Sequence, residues 1–293
     1  MEPVSTPGRW SDLDRPPLSA EGLGRALLAP AGPLARLEVL EQVGSTNAEL
    51  LARAGADPGA WPSPSALTTD SQTSGRGRLG RQWEAPPRSG VALSLLVRPQ
   101  APVEAWGWLP LLAGVAVVGV VRDVAGLPAQ LKWPNDVLVE DRKLCGILVE
   151  VLPGAPAGAG PAGVVVGVGV NTTTRREELD GGGLLGATSL RLEGAASTDR
   201  DVLVRALVRA LAAEVARFEA AGGDAAASGL TARAAEACTT LGRDVVVHLP
   251  GGTQLRGTAE GLDGDGRLLV HAEGSAPQAP PVAVSAGDVV HVR

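Results

Sequence analysis

The pattern of hydrophobic and polar positions divides the chain into a part that mixes strands with helices and a tail of short strands. Leu203, Leu207, Leu211 and Val215 recur every four residues, which predicts an amphipathic helix that begins at Asp199. Further helices are predicted at 19–28, at 46–54 from a capping box, at 104–125 from an apolar run, and at 225–238. Apolar runs predict strands in this first part at 37–43, 91–97, 129–133, 137–140, 144–151 and 164–170.

The tail from Gly242 onward has a different texture. Glycine turns such as Asp263-Gly264-Asp265-Gly266 separate short β-rich runs at 245–248, 253–259, 268–271, 282–284 and 289–292. About fifty residues of short strands predict a small β-barrel. At the other end, six prolines interrupt the first 36 residues, which predicts a loose, partly disordered arm with one short helix. The predicted organisation is therefore an arm at 1–36, an α+β domain at 37–240 and a barrel at 241–293.

Composition narrows the classes of function. The formal net charge of −6 argues against a general nucleic-acid binder, which usually carries a basic face. Cys145 and Cys238 form no disulfide framework and fit a reducing compartment; Cys145 lies in an apolar run and is predicted to be a buried hydrophobe, not a nucleophile. The apolar stretch 106–121 is too short to span a bilayer comfortably and is predicted to be a buried helix. With no signal peptide visible, the prediction is a cytoplasmic protein.

Residues 75–83 read Gly-Arg-Gly-Arg-Leu-Gly-Arg-Gln-Trp and form the most informative stretch. Glycines allow the backbone to approach a ligand, arginines bind carboxylate and phosphate oxygens, and an indole can stack on a base. The stretch also contains the spacing of a dinucleotide-binding fingerprint, from Gly75 to Gly80. A polar approach at 68–74 and two prolines at 86–87 replace the required strand and helix, so a Rossmann site is not predicted.

Three other clusters carry chemistry, and each has a plain structural alternative. Gly44-Ser45-Thr46-Asn47 stands at a strand-to-helix junction, where Thr46 to Glu49 also fits a simple capping box. Lys132-Trp133-Pro134-Asn135-Asp136 follows a strand, although an exposed turn would explain part of it. Arg142-Lys143 opens the next strand and could be a charged hairpin turn. The clusters together are a much more specific indication of function than any single cluster.

Taken in order, these motifs resemble those of the biotin protein ligases. The hallmarks of that family are a Ser-Thr-Asn junction, the glycine/arginine loop, Lys-Trp-Pro-Asn-Asp, and Arg-Lys-x-x-Gly-Ile-Leu-x-Glu, here at 142–150. The stretch 167–171 matches the later Gly-x-Gly-x-Asn strand end. The resemblance covers about residues 37–293. It implies a mixed β-sheet catalytic domain flanked by helices, similar to class II synthetases, followed by an SH3-like barrel.

The resemblance also implies a reaction in two steps. Biotin and ATP would give biotinyl-5′-AMP and pyrophosphate with Mg²⁺, and a lysine of a biotin carboxyl-carrier domain of an acyl-CoA carboxylase would then receive biotin. The chain looks like the short form of the family, because 36 proline-rich residues are too few for the DNA-binding module of some members. The expected partners therefore include neither DNA nor membrane, and the protein is expected to be a monomer or weak homodimer.

Site residues follow from the same resemblance, position by position. The expected biotin contacts are Ser45, Thr46, Asn47, Gln72, Gly75, Arg76, Gly77, Arg78, Lys143 and Gly146. The expected ATP contacts are Arg78, Arg81, Trp83, Lys132, Asn135 and Asn171, with Trp83 covering the adenine. Catalysis is expected from Arg78, Lys132 and Lys143, and Asp136 is the candidate magnesium ligand. Residues 75–83 are expected to act as a mobile lid.

Two other functions stay open. A related ligase that handles lipoate or octanoate would share the scaffold, but its aliphatic substrate would leave the buried polar groups of Ser45, Thr46 and Gln72 without partners. A non-catalytic sensor of biotin or nucleotide is the alternative outside enzymes. The joint presence of four functional side chains argues against it: Arg78, Lys132, Asp136 and Lys143.

Overall fold

A computed structural model of the protein describes residues 14–154, 161–181 and 186–292. The helices are α1 (Ala20–Leu27), α2 (Thr46–Ala56), α3 (Leu109–Ala125), α4 (Arg176–Gly181), α5 (Arg200–Ala220) and α6 (Leu230–Ala237). The strands of the first part are β1 (Arg36–Leu40), β2 (Ser65–Thr69), β3 (Gly90–Val97), β4 (Ala129–Lys132), β5 (Asp136–Val139), β6 (Arg142–Pro153) and β7 (Pro161–Asn171). The tail contains β8 (Asp244–His248), β9 (Gln254–Leu262), β10 (Leu268–Ala272), β11 (Val282–Val284) and β12 (Asp288–His291).

The first part is built on one seven-stranded sheet in the order β1-β2-β3-β7-β6-β5-β4. β1 and β2 are parallel and every other neighbouring pair is antiparallel, which confirms the predicted mixed sheet. The sequence analysis missed strand β2 and the short helix α4. Strand β2 reads Ser-Ala-Leu-Thr-Thr, yet all five residues are buried because both of its faces are covered. The approach to the glycine/arginine loop thus includes a buried strand, contrary to the expectation of an entirely polar one.

Helices cover both faces of the sheet. On one face, α3 and α5 pack against the main core, and on the other α2 packs Leu50 and Ala54 against Leu67, Leu96 and Val165. Together with a preceding 3₁₀ turn, α3 forms a helical stretch, Val103–Ala125, long and apolar enough to cross a membrane by length and composition. About two-thirds of its apolar 18-residue window is buried inside the protein, as expected of a core helix. The predicted buried helix is therefore confirmed.

Residues 14–36 are packed, which corrects the expectation of a loose arm for this part. Leu23 and Leu27 of α1 are completely buried, and Leu34 joins the same core. Arg15 is only 6% exposed. Its guanidinium donates two hydrogen bonds to Glu178 and one to a backbone carbonyl. The predicted helix at 19–28 is confirmed as α1. Residues 1–13 lie outside the described part, and the predicted domain boundaries stay predictions.

The tail forms a five-stranded antiparallel sheet in the order β11-β10-β9-β8-β12. It packs on the first part through the turn at 263–267. The indole Nε1 of Trp108 donates to the carbonyl of Gly264 at 2.7 Å, and that of Trp133 donates to Gly266 at 3.1 Å. Both rings are almost completely buried, so the barrel is anchored next to the Lys-Trp-Pro-Asn-Asp motif.

Candidate active site

A cavity of about 690 Å³ lies over strands β3, β6 and β7. The start of α2, the loop 75–83 and the turn 132–136 surround it, and β8 and β12 of the barrel contribute His248 and Asp288. All but two of the predicted site residues line this cavity. They are Ser45, Thr46, Asn47, Gln72, Arg76, Gly77, Arg78, Arg81, Trp83, Lys132, Asn135, Asp136, Lys143 and Gly146.

The loop 75–83 is a hairpin that folds back on itself. The amide of Trp83 donates to the carbonyl of Gly75 at 2.9 Å, and that of Gly77 donates to Arg81 at 2.7 Å. At the tip Leu79 has a φ of 56° and its side chain is 67% exposed. No helix follows the loop, because the chain leaves it toward the two prolines at 86–87. The structure thus agrees that the glycine spacing does not form a Rossmann site.

The indole of Trp83 lies on a floor without side chains. Gly146 of β6 and Gly169 of β7 are paired across the two strands. A Cβ atom on Gly146 would come within 3.0 Å of the ring, and one on Gly169 within 2.6 Å. The ammonium of Lys143 stands 5.8 Å from the ring centroid, within the range of a cation–π contact.

Five cationic and two acidic side chains line the cavity, so it carries a positive potential suited to anions. The sequence contains two lysines, Lys132 and Lys143, and both lie here. The Nζ of Lys143 lies 2.7 Å from Oδ1 of Asp136, and a guanidinium nitrogen of Arg78 donates to Oδ1 of Asn135 at 2.9 Å. These neutral or acidic partners hold the cations in place at the floor of the site.

Burial changes the protonation equilibria of two of these cations. It lowers the pKa of the Arg78 guanidinium, with a smaller opposing effect of Asp136. Burial also lowers the pKa of Lys132; Asp136 opposes this, and the neighbouring charges of Lys143 and Arg81 add to it. A negative charge beside Lys132 would favour the protonated form of this lysine. A phosphate that binds here would therefore keep Lys132 charged and would be attracted by its ammonium group.

The Ser-Thr-Asn junction begins helix α2, one residue earlier than the capping box predicted. Ser45 is the N-cap, and its side-chain oxygen accepts from the amide of Ala48. Both the amide and the hydroxyl of Thr46 donate toward Oε1 of Gln72, at 2.9 and 3.1 Å. Glu49 instead accepts from Arg53 one helical turn later. The capping box from Thr46 to Glu49 was therefore wrong, and Thr46 is left to face the cavity.

Gly75 and Asn171 are the two predicted site residues that the structure places outside the cavity lining. A Cβ atom on Gly75 would lie 2.3 Å from the carbonyl oxygen of Trp83, so this glycine serves the closure of the hairpin. Asn171 is 1% exposed and its amide donates to the carbonyl of Thr188 at 2.9 Å. It ties the segment after α4 to the end of β7, and its expected place near the nucleotide stays a prediction.

The sequence analysis missed several residues at or beneath the site, among them four with polar or charged side chains. Ser94 and Glu150 hold the side chain of Asn47 from below, and His248 and Asp288 reach the cavity from the barrel. Ser94 left a signal, because it is a lone polar residue inside the apolar strand 91–97. No local signal marks Asp288, since its ion pair with Arg81 joins residues about two hundred positions apart.

Comparison with protein families decides the identity of the fold. Residues 39–171 match the biotin/lipoate A/B protein ligase family, and residues 240–292 match the biotin protein ligase C terminal domain. The chain is 42% identical to the biotin–[acetyl-CoA-carboxylase] ligase of Mycobacterium tuberculosis over 96% of this chain and 98% of that relative. The chain belongs to the biotin protein ligase family.

Other biotin protein ligases agree with this assignment. The bifunctional ligase/repressor BirA of Escherichia coli is 34% identical over 80% of this chain and 69% of its own length. Among solved structures, the biotin protein ligase of Aquifex aeolicus in complex with biotin and ATP superposes with a TM-score of 0.67. That match has 25% identity and covers 88% of this chain and 99% of the other. The predicted catalytic domain and SH3-like barrel are thereby confirmed.

An ATP-dependent biotin protein ligase uses Mg²⁺ with its nucleotide, and the donor set of this cavity fits that ion. In the described ranges 14–154, 161–181 and 186–292, no group of three His, Cys, Asp or Glu side chains could hold a metal by itself. Asp136 supplies one carboxylate, and its Oδ1 is buried and has no hydrogen-bond donor among the described residues apart from the ionic contact with Lys143. Mg²⁺ commonly takes one or two carboxylates and completes its shell with phosphates and water.

Proposed function

We propose that this protein activates biotin with ATP and transfers it to a lysine of a biotin carboxyl-carrier domain. The observation that carries this proposal is the convergence of four separate sequence motifs on one cationic cavity. The cavity volume of about 690 Å³ lies within the range of sites for small molecules and nucleotides. Polar residues at the start of α2 occupy one side, and the cations Arg78, Lys132 and Lys143 occupy another.

The first step joins two anions, so its barrier depends on fixed positive charge. A carboxylate oxygen of biotin attacks the α-phosphorus of ATP, the bond to the bridging oxygen breaks, and pyrophosphate leaves. Arg78, Lys132 and Lys143 bind the developing charge. Arg78 and Lys143 need little reorganisation, because Asn135 and Asp136 already orient them. When bound through Asp136, Mg²⁺ would neutralise phosphate charge.

The second step is acyl transfer. The neutral amine of the acceptor lysine attacks the activated carbonyl carbon, AMP leaves, and the amine loses a proton as the amide forms. Water would destroy the mixed anhydride, so the site must exclude it. The loop 75–83 is proposed to cover the intermediate as a lid, with Arg76, Arg78 and Arg81 supplying charge and Trp83 covering the adenine.

The polar end of the cavity favours biotin over an aliphatic acid. Ser45, Thr46 and Asn47 are each about 5% exposed or less, and with Gln72 they can bond a ureido ring. An octanoyl or lipoyl chain offers no donor or acceptor to the groups that keep bonding capacity beyond their contacts within the protein, such as the amide nitrogen of Gln72 and the hydroxyl oxygen of Thr46. Polar groups that stay without a partner in a closed site cost binding energy. The retained cations argue in turn against a sensor without activity.

The remaining partners and the location follow from charge and composition. We expect a cytoplasmic enzyme that is a monomer or a weak homodimer. We also expect no DNA partner, because the chain carries a net charge of −6. Specific, salt-sensitive binding to a promoter fragment would contradict the expectation about DNA.

The decisive experiment combines the purified protein with ATP, Mg²⁺, biotin and a biotin carboxyl-carrier domain. Mass spectrometry of the acceptor is expected to show one biotinyl-lysine, with AMP and pyrophosphate formed in equal amounts. Parallel reactions with lipoate and with octanoate are expected to give no modified acceptor. Acceptor that stays unmodified with biotin, or that is modified equally well by lipoate, would contradict the proposal.

A further inference from the structure

The carboxamide of Asn47 spans three neighbouring strands beneath the polar end of the cavity. Ser94 of β3, Gly167 of β7 and Leu148 of β6 face one another in a single row across the sheet. A Cβ atom on Gly167 would lie only 2.3 Å from Oδ1 of Asn47, so the amide rests directly on this glycine. Ser94 is completely buried and reaches the amide from the neighbouring strand.

The hydrogen-bond partners fix which way this amide points. Its Nδ2 donates to the carbonyl of Leu148 at 3.1 Å and to the carboxylate of Glu150 at 2.9 Å, so both of its protons are used. Its Oδ1 lies 2.6 Å from Oγ of Ser94. A flipped amide would place Oδ1 against a carbonyl and a carboxylate, which are both acceptors. The Ser94 proton must therefore go to Asn47.

The hydrogen bond from Ser94 to Asn47 determines which hydrogen bonds the hydroxyl of the neighbouring Thr46 can make. Oγ1 of Thr46 lies 2.8 Å from Oγ of Ser94 and 3.1 Å from Oε1 of Gln72. The hydroxyls of Ser94 and Thr46 have one proton each, but three short contacts connect them with each other, with Asn47 and with Gln72. The proton of Ser94 is already donated to Asn47. The proton of Thr46 points to Ser94 or to Gln72, and in both cases its oxygen keeps a lone pair that these contacts do not use, on a residue that lines the cavity. Thr46 therefore offers an acceptor to the N–H of a bound ligand.

We propose that Ser94 is a specificity-determining positioning residue for the ligand ring. It touches no ligand, because it lies beneath the cavity and not in its lining. Its hydroxyl fixes the Asn47 amide and keeps Thr46 as an acceptor, and so presets the site for a ring that carries N–H donors. The proposal rests on the proposed function, since a cyclic urea such as that of biotin has this pattern of donors.

The test measures biotin binding by calorimetry and ATP use by pyrophosphate release. In Ser94→Ala the Kd for biotin is expected to rise about tenfold, equivalent to about 1.4 kcal/mol. The KM for ATP and the kcat of adenylate formation at saturating biotin are expected to stay within about twofold, because the lost interaction concerns ligand binding alone. Ser94→Cys keeps the size and a weak donor, and an intermediate Kd is expected.

Thr68→Val is the matched control. Thr68 is also completely buried, lies on the adjacent strand β2 and donates to a backbone carbonyl at 2.9 Å, but it lies outside this network. Biotin affinity that is unchanged in Ser94→Ala, or lost equally in Thr68→Val, would overturn the role of Ser94. A wild-type protein that binds biotin but forms no adenylate contradicts the proposed activity instead, and the binding data still judge Ser94.

Discussion

At the scale of single residues, the cations of the site are held by partners that a ligand can replace. Lys143 pairs with Asp136, Arg81 with Asp288, and Arg78 bonds to Asn135. Each pair lowers the freedom of a long side chain before the substrate arrives. Electrostatic catalysis depends on such preorganisation, because charges that are already oriented need not be reoriented in the transition state.

Lys143→Ala is expected to slow adenylate formation by a factor of about 10² to 10³, the usual cost of removing one preorganised group that stabilises charge. The free energy of unfolding is expected to fall somewhat, because the buried Oδ1 of Asp136 loses its ionic contact, so turnover is compared well below the unfolding transition. Pyrophosphate release and thermal unfolding measure the two effects. Arg25→Ala, which removes an exposed ion pair on α1, is the control with normal turnover. Normal turnover in Lys143→Ala would remove this lysine from the proposed machinery.

At the scale of elements, strands β6 and β7 form a floor in which glycines replace side chains. Gly146 pairs with Gly169 under Trp83, and Gly167 pairs with Leu148 under Asn47. The sequence indicated a buried strand from the apolar run at 164–170. The glycines of this strand make room for side chains of α2 and the loop 75–83, which pack over them only in the tertiary structure.

Gly167→Ala is expected to displace the Asn47 side chain, since the new Cβ would lie 2.3 Å from Oδ1 and 2.8 Å from Cγ. Biotin affinity is expected to fall by about tenfold or more, because a shift of this size misaligns the polar end of the site. Gly261→Ala on β9 makes the same change in a strand where a Cβ meets nothing within 4 Å. Calorimetry with biotin should separate the two variants, and equal affinities would show that Asn47 tolerates the displacement.

At the scale of the whole molecule, the barrel and the sheet domain meet behind the site. The Nε2 of His291 lies 3.1 Å from the hydroxyl oxygen of Thr240, which also accepts from the amide of Trp133. A guanidinium nitrogen of Arg243 lies 3.3 Å from Nδ1 of His291. Since Arg243 can only donate, Nδ1 accepts and Nε2 carries the proton. The neutral imidazole thus links β12 to the Lys-Trp-Pro-Asn-Asp motif.

This contact makes stability depend on pH. Burial, together with the charges of Lys132 and Arg243, lowers the pKa of His291 from 6.5 to about 4. Between these values the unfolded chain binds more protons, so the free energy of unfolding is highest above pH 6.5 and falls as the pH decreases toward 4. His291→Gln is expected to lose less stability over this range in thermal unfolding, whereas His248→Gln, an exposed position on β8, should follow the wild type. Identical pH profiles for wild type and His291→Gln would contradict the assignment.

The sequence by itself determined the class of fold, the barrel, the long helices and most of the residues that line the cavity. It could do so because periodicity reports burial, and because residues whose chemistry requires neighbours, such as those at 75–83 and 132–136, stay close along the chain. It failed at β2, where two layers bury a polar strand, and at α2, where the cap is Ser45. It also did not reveal that the amide of Asn171 bonds to the carbonyl of Thr188 within the fold.

Only the tertiary structure decided which distant residues complete the site. Ser94 lies on one strand, Asn47 on a helix and Glu150 on another strand, and their hydrogen bonds depend on the register of β3, β7 and β6. Arg81 and Asp288 meet because the barrel folds back on the loop. Such contacts are set by packing between elements, and no local pattern encodes them.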